Sequence, residues 1–161
     1  MHYIQLSKTK MMAGTFYIQI VFAVKYRDAL IHESWEERLY QYITGIVQNK
    51  EQKMLAINGM PDHIHLLIGM KPSCCLSDLV REIKKSSTEF ITENKLCKLK
   101  FNWQGGYGAF SYNHSQLDDV IGYIINQKEH HKKKTFKEEY TTFLKKFNIE
   151  YEEKYLFDWM D

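Results

Sequence analysis

A chain of 161 residues fits one domain and can bury roughly 70% of the surface its unfolded form exposes. With 44% hydrophobic and 14% aromatic residues it reads as globular, and its net charge of +2 is by itself no strong sign of nucleic-acid binding. Cys74, Cys75 and Cys97 form neither a disulfide framework nor a zinc pattern, and no apolar run nears a membrane span, so the reading is a soluble cytoplasmic protein with reduced thiols, no signal peptide and no membrane partner.

The elements follow in chain order. "TFYIQIVFAVKYR" (15–27) is β-branched and aromatic and reads as a central strand. "SWEERLYQYITGIVQNKEQK" (34–53) carries Trp35, Leu39, Tyr42, Ile43, Ile46 and Val47 at helical spacing, with Ser34 as N-cap and Glu37 three residues on. "MLAING" (54–59) is a short strand, Gly59 to Asp62 a turn, and "HIHLLIGM" (63–70) the next strand. "LSDLVREIKKSSTEFITEN" (76–94) is a second helix capped by Ser77, and "YGAFSYN" (107–113) a fourth strand. Ser115 caps a third helix, "SQLDDVIGYIINQKEHH", whose buried stripe is Leu117, Val120, Ile121, Ile124 and Ile125. A last helix runs from Thr135 to about Phe147.

The order up to residue 113 is β-α-β-β-α-β. That is an α+β, ferredoxin-like split-βαβ arrangement: an antiparallel sheet with two helices on one face, plus additional C-terminal helices. The third helix has the free sheet face, or a partner subunit, to pack against. No repeat or Pro/Gly-rich linker divides the chain, so residues 1–161 read as one domain, with an N-terminal extension over 1–14 and a tail over 148–161.

"MPDHIHLLIG" (60–69) places two histidines in an apolar run. On a strand, residues i and i+2 share a face. Ile64, Leu66 and Ile68 therefore face the core, while His63, His65 and Leu67 face the other way. Two imidazoles roughly 7 Å apart at Cβ can converge on one ion or one phosphate. The same pattern also fits two half-exposed histidines on an open sheet face. On the third helix, Tyr123 and Gln127 lie one turn apart beside the apolar stripe. Tyr123 is a possible nucleophile and Gln127 a neutral oxygen donor for a hard cation. The helix alone equally allows a boundary aromatic and a solvated glutamine.

Together these segments resemble a known family. "PDHIHLLI" is similar to the HUH motif, here His63-Ile64-His65, and "GYIINQKEHH" to the tyrosine helix of the small single-tyrosine HUH transposases, the TnpA type of the insertion-sequence 200/605 family. "WQGGYGAFS" (103–111) and "VKYR" (24–27) also resemble segments of that family, and the likeness runs from about Thr15 to Phe157. It implies a DNA transposase that cuts and rejoins single-stranded DNA and so excises and inserts an insertion sequence. Tyr123 would attack the phosphodiester, giving a 5′-phosphotyrosine and a free 3′-hydroxyl. A divalent metal ion, Mg²⁺ or Mn²⁺, would sit on His63, His65 and Gln127, three neutral ligands. The resemblance further implies a prokaryotic protein acting on DNA with hairpin ends, and a homodimer in which the tyrosine helix of one subunit completes the HUH site of the other.

Further positions carry secondary expectations. Asp62 either supports a ligating imidazole or belongs to the turn. His130 and His131 either face the site or complement the helix dipole, the second being preferred. Lys25, Arg27, Lys84 and Lys85 are candidates for phosphate contacts, and Trp103 and Tyr107 for stacking on bases; surface charge and core packing are the alternatives. Gly105, Gly106 and Gly108 suit a bend or a close approach. Further lysines gather at Lys132, Lys133 and Lys134, while the C-terminal end is acidic.

Three rival functions follow. One is a domesticated transposase acting on palindromic repeats. A second is a non-catalytic nucleic-acid-binding module of ferredoxin-like fold, with Phe16, Tyr17 and Phe22 on the first strand as base-stacking residues. A third is a metal-binding protein without catalysis.

Overall fold

The computed structural model describes residues 14–150. The expected N-terminal extension and C-terminal tail lie outside the described residues, apart from Gly14 and residues 148–150.

The described chain runs β1 (Phe16–Ala23), a 3-10 turn (Lys25–Arg27), α1 (Glu36–Asn49), β2 (Lys53–Met60), β3 (His63–Met70), α2 (Leu76–Glu93) and β4 (Gly108–Tyr112). A second 3-10 turn (His114–Gln116), α3 (Leu117–Ile125), α4 (Gln127–His130) and α5 (Phe136–Lys146) follow. The sheet order is β2-β3-β1-β4, every pairing antiparallel. This is the ferredoxin-like α+β architecture expected from the order of elements.

Strand alternation sorts the side chains into two layers. Ile20, Phe22, Ile64, Leu66 and Ile68 join Leu39, Ile43, Val47, Val80, Ile83 and Ile91 in the main core beneath α1 and α2. On the opposite face, Val21, Ala23 and Phe110 pack with Phe136 and Leu144 of α5, and Leu67 and Ala56 with Val120 and Ile124 of α3. The third helix therefore covers its own chain's sheet. Of the three aromatics expected to stack on bases, Phe22 is 2% exposed and meets Trp103 edge-on, Tyr17 is half-buried and Phe16, at the start of β1, is 54% exposed, so the three do not share one open face.

Several boundaries differ from expectation. β1 ends at Ala23, because Tyr26 (φ 59°) and Arg27 (φ 55°) turn the "VKYR" segment out of extended geometry. None of the three expected serine caps is one. Trp35 and Cys75 occupy the N-cap positions of α1 and α2. The Ser34 hydroxyl pairs with His32, and Ser77 Oγ lies 2.8 Å from Tyr107 Oη. Ahead of α3, Asn113 and Gln116 form a capping box around the 3-10 turn that holds Ser115. The expected third helix is broken at Asn126 (ψ 20°), so Tyr123 and Gln127 stand on either side of the break. Ile125, the last residue before that kink and expected in the buried stripe, is 60% exposed. Thr135 caps α5, accepting from the Glu138 N–H.

Candidate active site

His63 and His65 hold adjacent inward positions of β3, beside Ala23 and Val21 of β1 and Met60 and Asn58 of β2. As central-strand residues under the second helical layer, both are 0% exposed, so neither is the half-exposed histidine of an open sheet. Their rings stand 5.1 Å apart.

Each imidazole is held by its Nδ1. The Asp62 carboxylate lies 2.7 Å from His63 Nδ1 and, on its other oxygen, 3.1 Å from Arg27 Nη2. A carboxylate only accepts, so Nδ1 carries the proton and the Nε2 lone pair faces inward. Burial lowers the His63 pKa to about 4, with the neighbouring His65 acting in the same direction and Asp62 against it, so the ring is neutral at pH 7. His65 Nδ1 lies 3.0 Å from the Gln19 side-chain amide, and Gln19 Oε1 accepts from the Tyr112 hydroxyl at 2.7 Å.

The helical layer supplies the rest. The Tyr123 ring stands 6.1 Å from that of His65, nearly perpendicular to it, and its hydroxyl donates to Glu139 Oε1 on α5. Gln127 is fully buried, its Nε2 3.4 Å from the same carboxylate oxygen. Glu139 Oε1 is 3.0 Å from His65 Nε2, and Oε2 contacts His131 Nε2. Phe136 stacks flat on His63. Burial favours the protonated Glu139 carboxyl, but contacts with His131, His65 and Tyr123 outweigh it and hold the group well below the usual carboxylate range. Burial and the Glu139 charge push the Tyr123 hydroxyl well above its ordinary pKa.

The donor set fits a divalent ion. His63 Nε2 and Gln127 Oε1 are buried with no hydrogen-bond partner, a cost that an ion would remove. His65 Nε2 and His131 Nε2 meet the Glu139 carboxylate but make no hydrogen bond in the arrangement shown. The expected all-neutral ligand set is nonetheless joined by a carboxylate. His131, which the sequence favours as a dipole-complementing residue, faces the site instead, its ring 4.8 Å from His63. His130 is exposed and lies tilted on the Tyr123 ring at 4.6 Å. A cavity of about 430 Å³ opens beside Tyr123 and Glu139, rimmed by His130, Lys133, Lys134 and Lys146.

The other expected contacts divide. Trp103 is buried, its Nε1 donating to Ser87 Oγ at 2.9 Å, so it is core and not a base-stacking platform. Tyr107 packs partly against the same core. Lys84 Nζ donates to the carbonyls of Gln104 and Gly106, bracing the "WQGGYG" loop where Gly106 takes φ +80°; burial lowers its pKa to about 8. Arg27 is engaged with Asp62, whereas Lys25 and Lys85 are exposed. Two site residues that sequence reasoning missed have a visible signal. Gln19 is the polar residue inside "YIQIVFAV", and Glu139 lies on the face that Phe136, Tyr140 and Phe143 mark out on α5.

Comparison with known proteins bears on the fold and on the site residues up to Gln127. The family model described as "Transposase IS200 like" matches residues 13–127. The chain is 22% identical to the ISDra2 transposase TnpA of Deinococcus radiodurans over 113 residues, 67% of this chain and 81% of that protein. A crystal structure of a D. radiodurans protein assigned as a transposase matches with TM-score 0.60 at 21% identity, covering 76% of this chain and 98% of that one. A REP-associated tyrosine transposase bound to a REP hairpin matches with TM-score 0.57 at 19% identity, covering 77% and 73%. The solved structures share the fold, and the family match takes in β1 through Gln127, with both histidines and the tyrosine: the chain belongs to the IS200-like transposase family.

Proposed function

We propose that this transposase cleaves and rejoins single-stranded DNA through Tyr123, with a divalent ion held by His63, His65 and Gln127. The observation that carries the reading is the meeting of the Tyr123 hydroxyl, two inward Nε2 atoms and an unpartnered glutamine oxygen in one buried cluster. Tyr123 Oη attacks phosphorus, the P–O3′ bond breaks, and the 3′-oxygen leaves as a hydroxyl. The 5′-phosphotyrosine keeps the bond energy, so rejoining is the same step reversed. Held by these residues, such an ion would polarise the phosphate oxygens and steady the leaving oxygen. The hydroxyl holds its proton until attack, and Glu139 Oε1 is the acceptor already in contact with it. The basic rim at Lys133, Lys134 and Lys146 gives a DNA backbone its approach to the tyrosine.

Each chain supplies both the histidines and the tyrosine of its own site in this reading, because α3 packs on the sheet of its own chain. The homodimer implied by the family remains part of it, and exposed Ile125 gives such a dimer apolar surface. The test is a hairpin-ended single strand labelled on the 3′ side of the cut, incubated with Mn²⁺ and run on a denaturing gel. The native protein should carry the label, and Tyr123→Phe, which keeps the ring, should not. Label on the variant would assign the nucleophile elsewhere.

A further inference from the structure

Residues that follow the family-matched segment enter the histidine cluster. His131 stands just beyond α4 and Glu139 on α5, both after Gln127, the last matched residue. One ligand atom from each of His63, His65, His131 and Glu139 can be chosen so that all four lie within 4.8 Å of one another, and all four side chains are at most 8% exposed. An ion with bonds of about 2.1 Å holds adjacent ligand atoms roughly 3–4 Å apart, close to this spacing.

The contacts within the cluster place one carboxylate between two imidazoles, an arrangement that shared ligation also fits. The carboxylate divides its oxygens, Oε1 toward His65 Nε2 and Oε2 toward His131 Nε2, and neither nitrogen makes a hydrogen bond there. His63 Nε2 is orphaned altogether. An ion among these atoms would satisfy all three nitrogens at once. Phe136, one turn ahead of Glu139, stacks on His63 and fixes the height of α5 over the sheet.

We propose that His131 and Glu139 join His63, His65 and Gln127 around the metal ion of this chain, and that the centre takes a transition-metal dication such as Mn²⁺ or Zn²⁺ in preference to Mg²⁺. The proposal rests on the reading of His63 and His65 as ligands and adds two. Three imidazoles suit borderline ions, whereas Mg²⁺ prefers oxygen ligands and retained water. The carboxylate gives the centre a negative charge that a His/His/Gln set lacks. Through Glu139 Oε1 the same centre touches the Tyr123 hydroxyl, so ion and nucleophile share one carboxylate.

The test is equilibrium binding of Mn²⁺ and Zn²⁺ to the purified full chain without DNA, with circular dichroism to confirm folding. Glu139→Gln and His131→Ala should each weaken Mn²⁺ binding at least tenfold, and Mg²⁺ should not displace equimolar Mn²⁺ from the native protein. Unchanged affinity in both variants, with loss only in His63→Ala, would overturn the proposal and leave the His63/His65 reading standing. Failure of the Tyr123 labelling test would instead sink the cleavage reading alone. Should a variant misfold, pulsed EPR of the Mn²⁺-loaded native protein counts bound imidazoles: three are expected, and two would overturn the proposal.

Discussion

The imidazole of His63 lies flat against the ring of Phe136, 3.8 Å between centroids and 10° between planes. One of these residues belongs to the sheet and the other to the first turn of α5, so the stack joins the C-terminal helix to the histidine pair.

Phe136 is 2% exposed, and removing its ring leaves a cavity directly over His63. Phe136→Ala is expected to cost about 3 kcal/mol or more. The loss should concentrate in α5: hydrogen exchange should show its amides opening while α1 and α2 stay protected. Uniform loss of protection across the chain would contradict this view of the stack.

Gly108 on β4 gives a second handle on the same helix. A Cβ there would lie 2.6 Å from Tyr140 Oη and 2.9 Å from Tyr140 Cε2, so the tyrosine would have to move. Gly108→Ala is expected to destabilise by roughly 1–3 kcal/mol. It should also perturb the Tyr123–Glu139 contact, readable as a changed Tyr123 ring signal in NMR. A variant as stable as the native protein would show that Tyr140 yields freely.

The pH dependence of the metal-free protein follows from His63. Its folded pKa of about 4 lies below the unfolded value of 6.5. Between those values the unfolded chain binds a proton that the folded chain refuses. Stability therefore falls as pH drops from 6.5 toward 4, by at most roughly 3 kcal/mol. Urea denaturation at pH 7 and pH 5 should show the decline, and His63→Asn should flatten it. Equal stability of the native protein at both values would contradict the buried neutral ring.

Mixing two inactive variants separates a self-contained site from a shared one. Tyr123→Phe keeps the histidines, and His65→Gln keeps the tyrosine. With each chain completing its own site, the mixture should cleave no better than either variant alone. Restored cleavage would show that the tyrosine helix serves the partner.

Much of this fold was legible because strand and helix periods differ. The alternation in "HIHLLI" separates Ile64, Leu66 and Ile68 from the two histidines, and the structure buries each set in its own layer. The helix caps were less legible: serine is a fit N-cap by type, but where a chain enters a helix depends on tertiary contacts, as with Ser77 and Tyr107. The kink at Asn126 was hidden for a related reason, since no Gly or Pro stands next to it to mark a break. Tyr123 and Gln127 were visible at helical spacing, yet Glu139 was not read. Its pairing with His65 joins β3 to α5 across α2, β4, α3 and α4, and a carboxylate on an amphipathic helix ordinarily reads as its wet face.

Gln19 touches both His65 and Tyr112, residues 46 and 93 positions away along the chain. The amide can make both contacts only once β1, β3 and β4 are paired in register. Contacts of such separation carry a large loop-closure cost and form late. A chain emerging from synthesis thus exposes both histidines well before the segment that seals them. A truncated chain ending before β4 would keep Gln19 beside His65 but lack the Tyr112 hydroxyl that fixes the Gln19 amide.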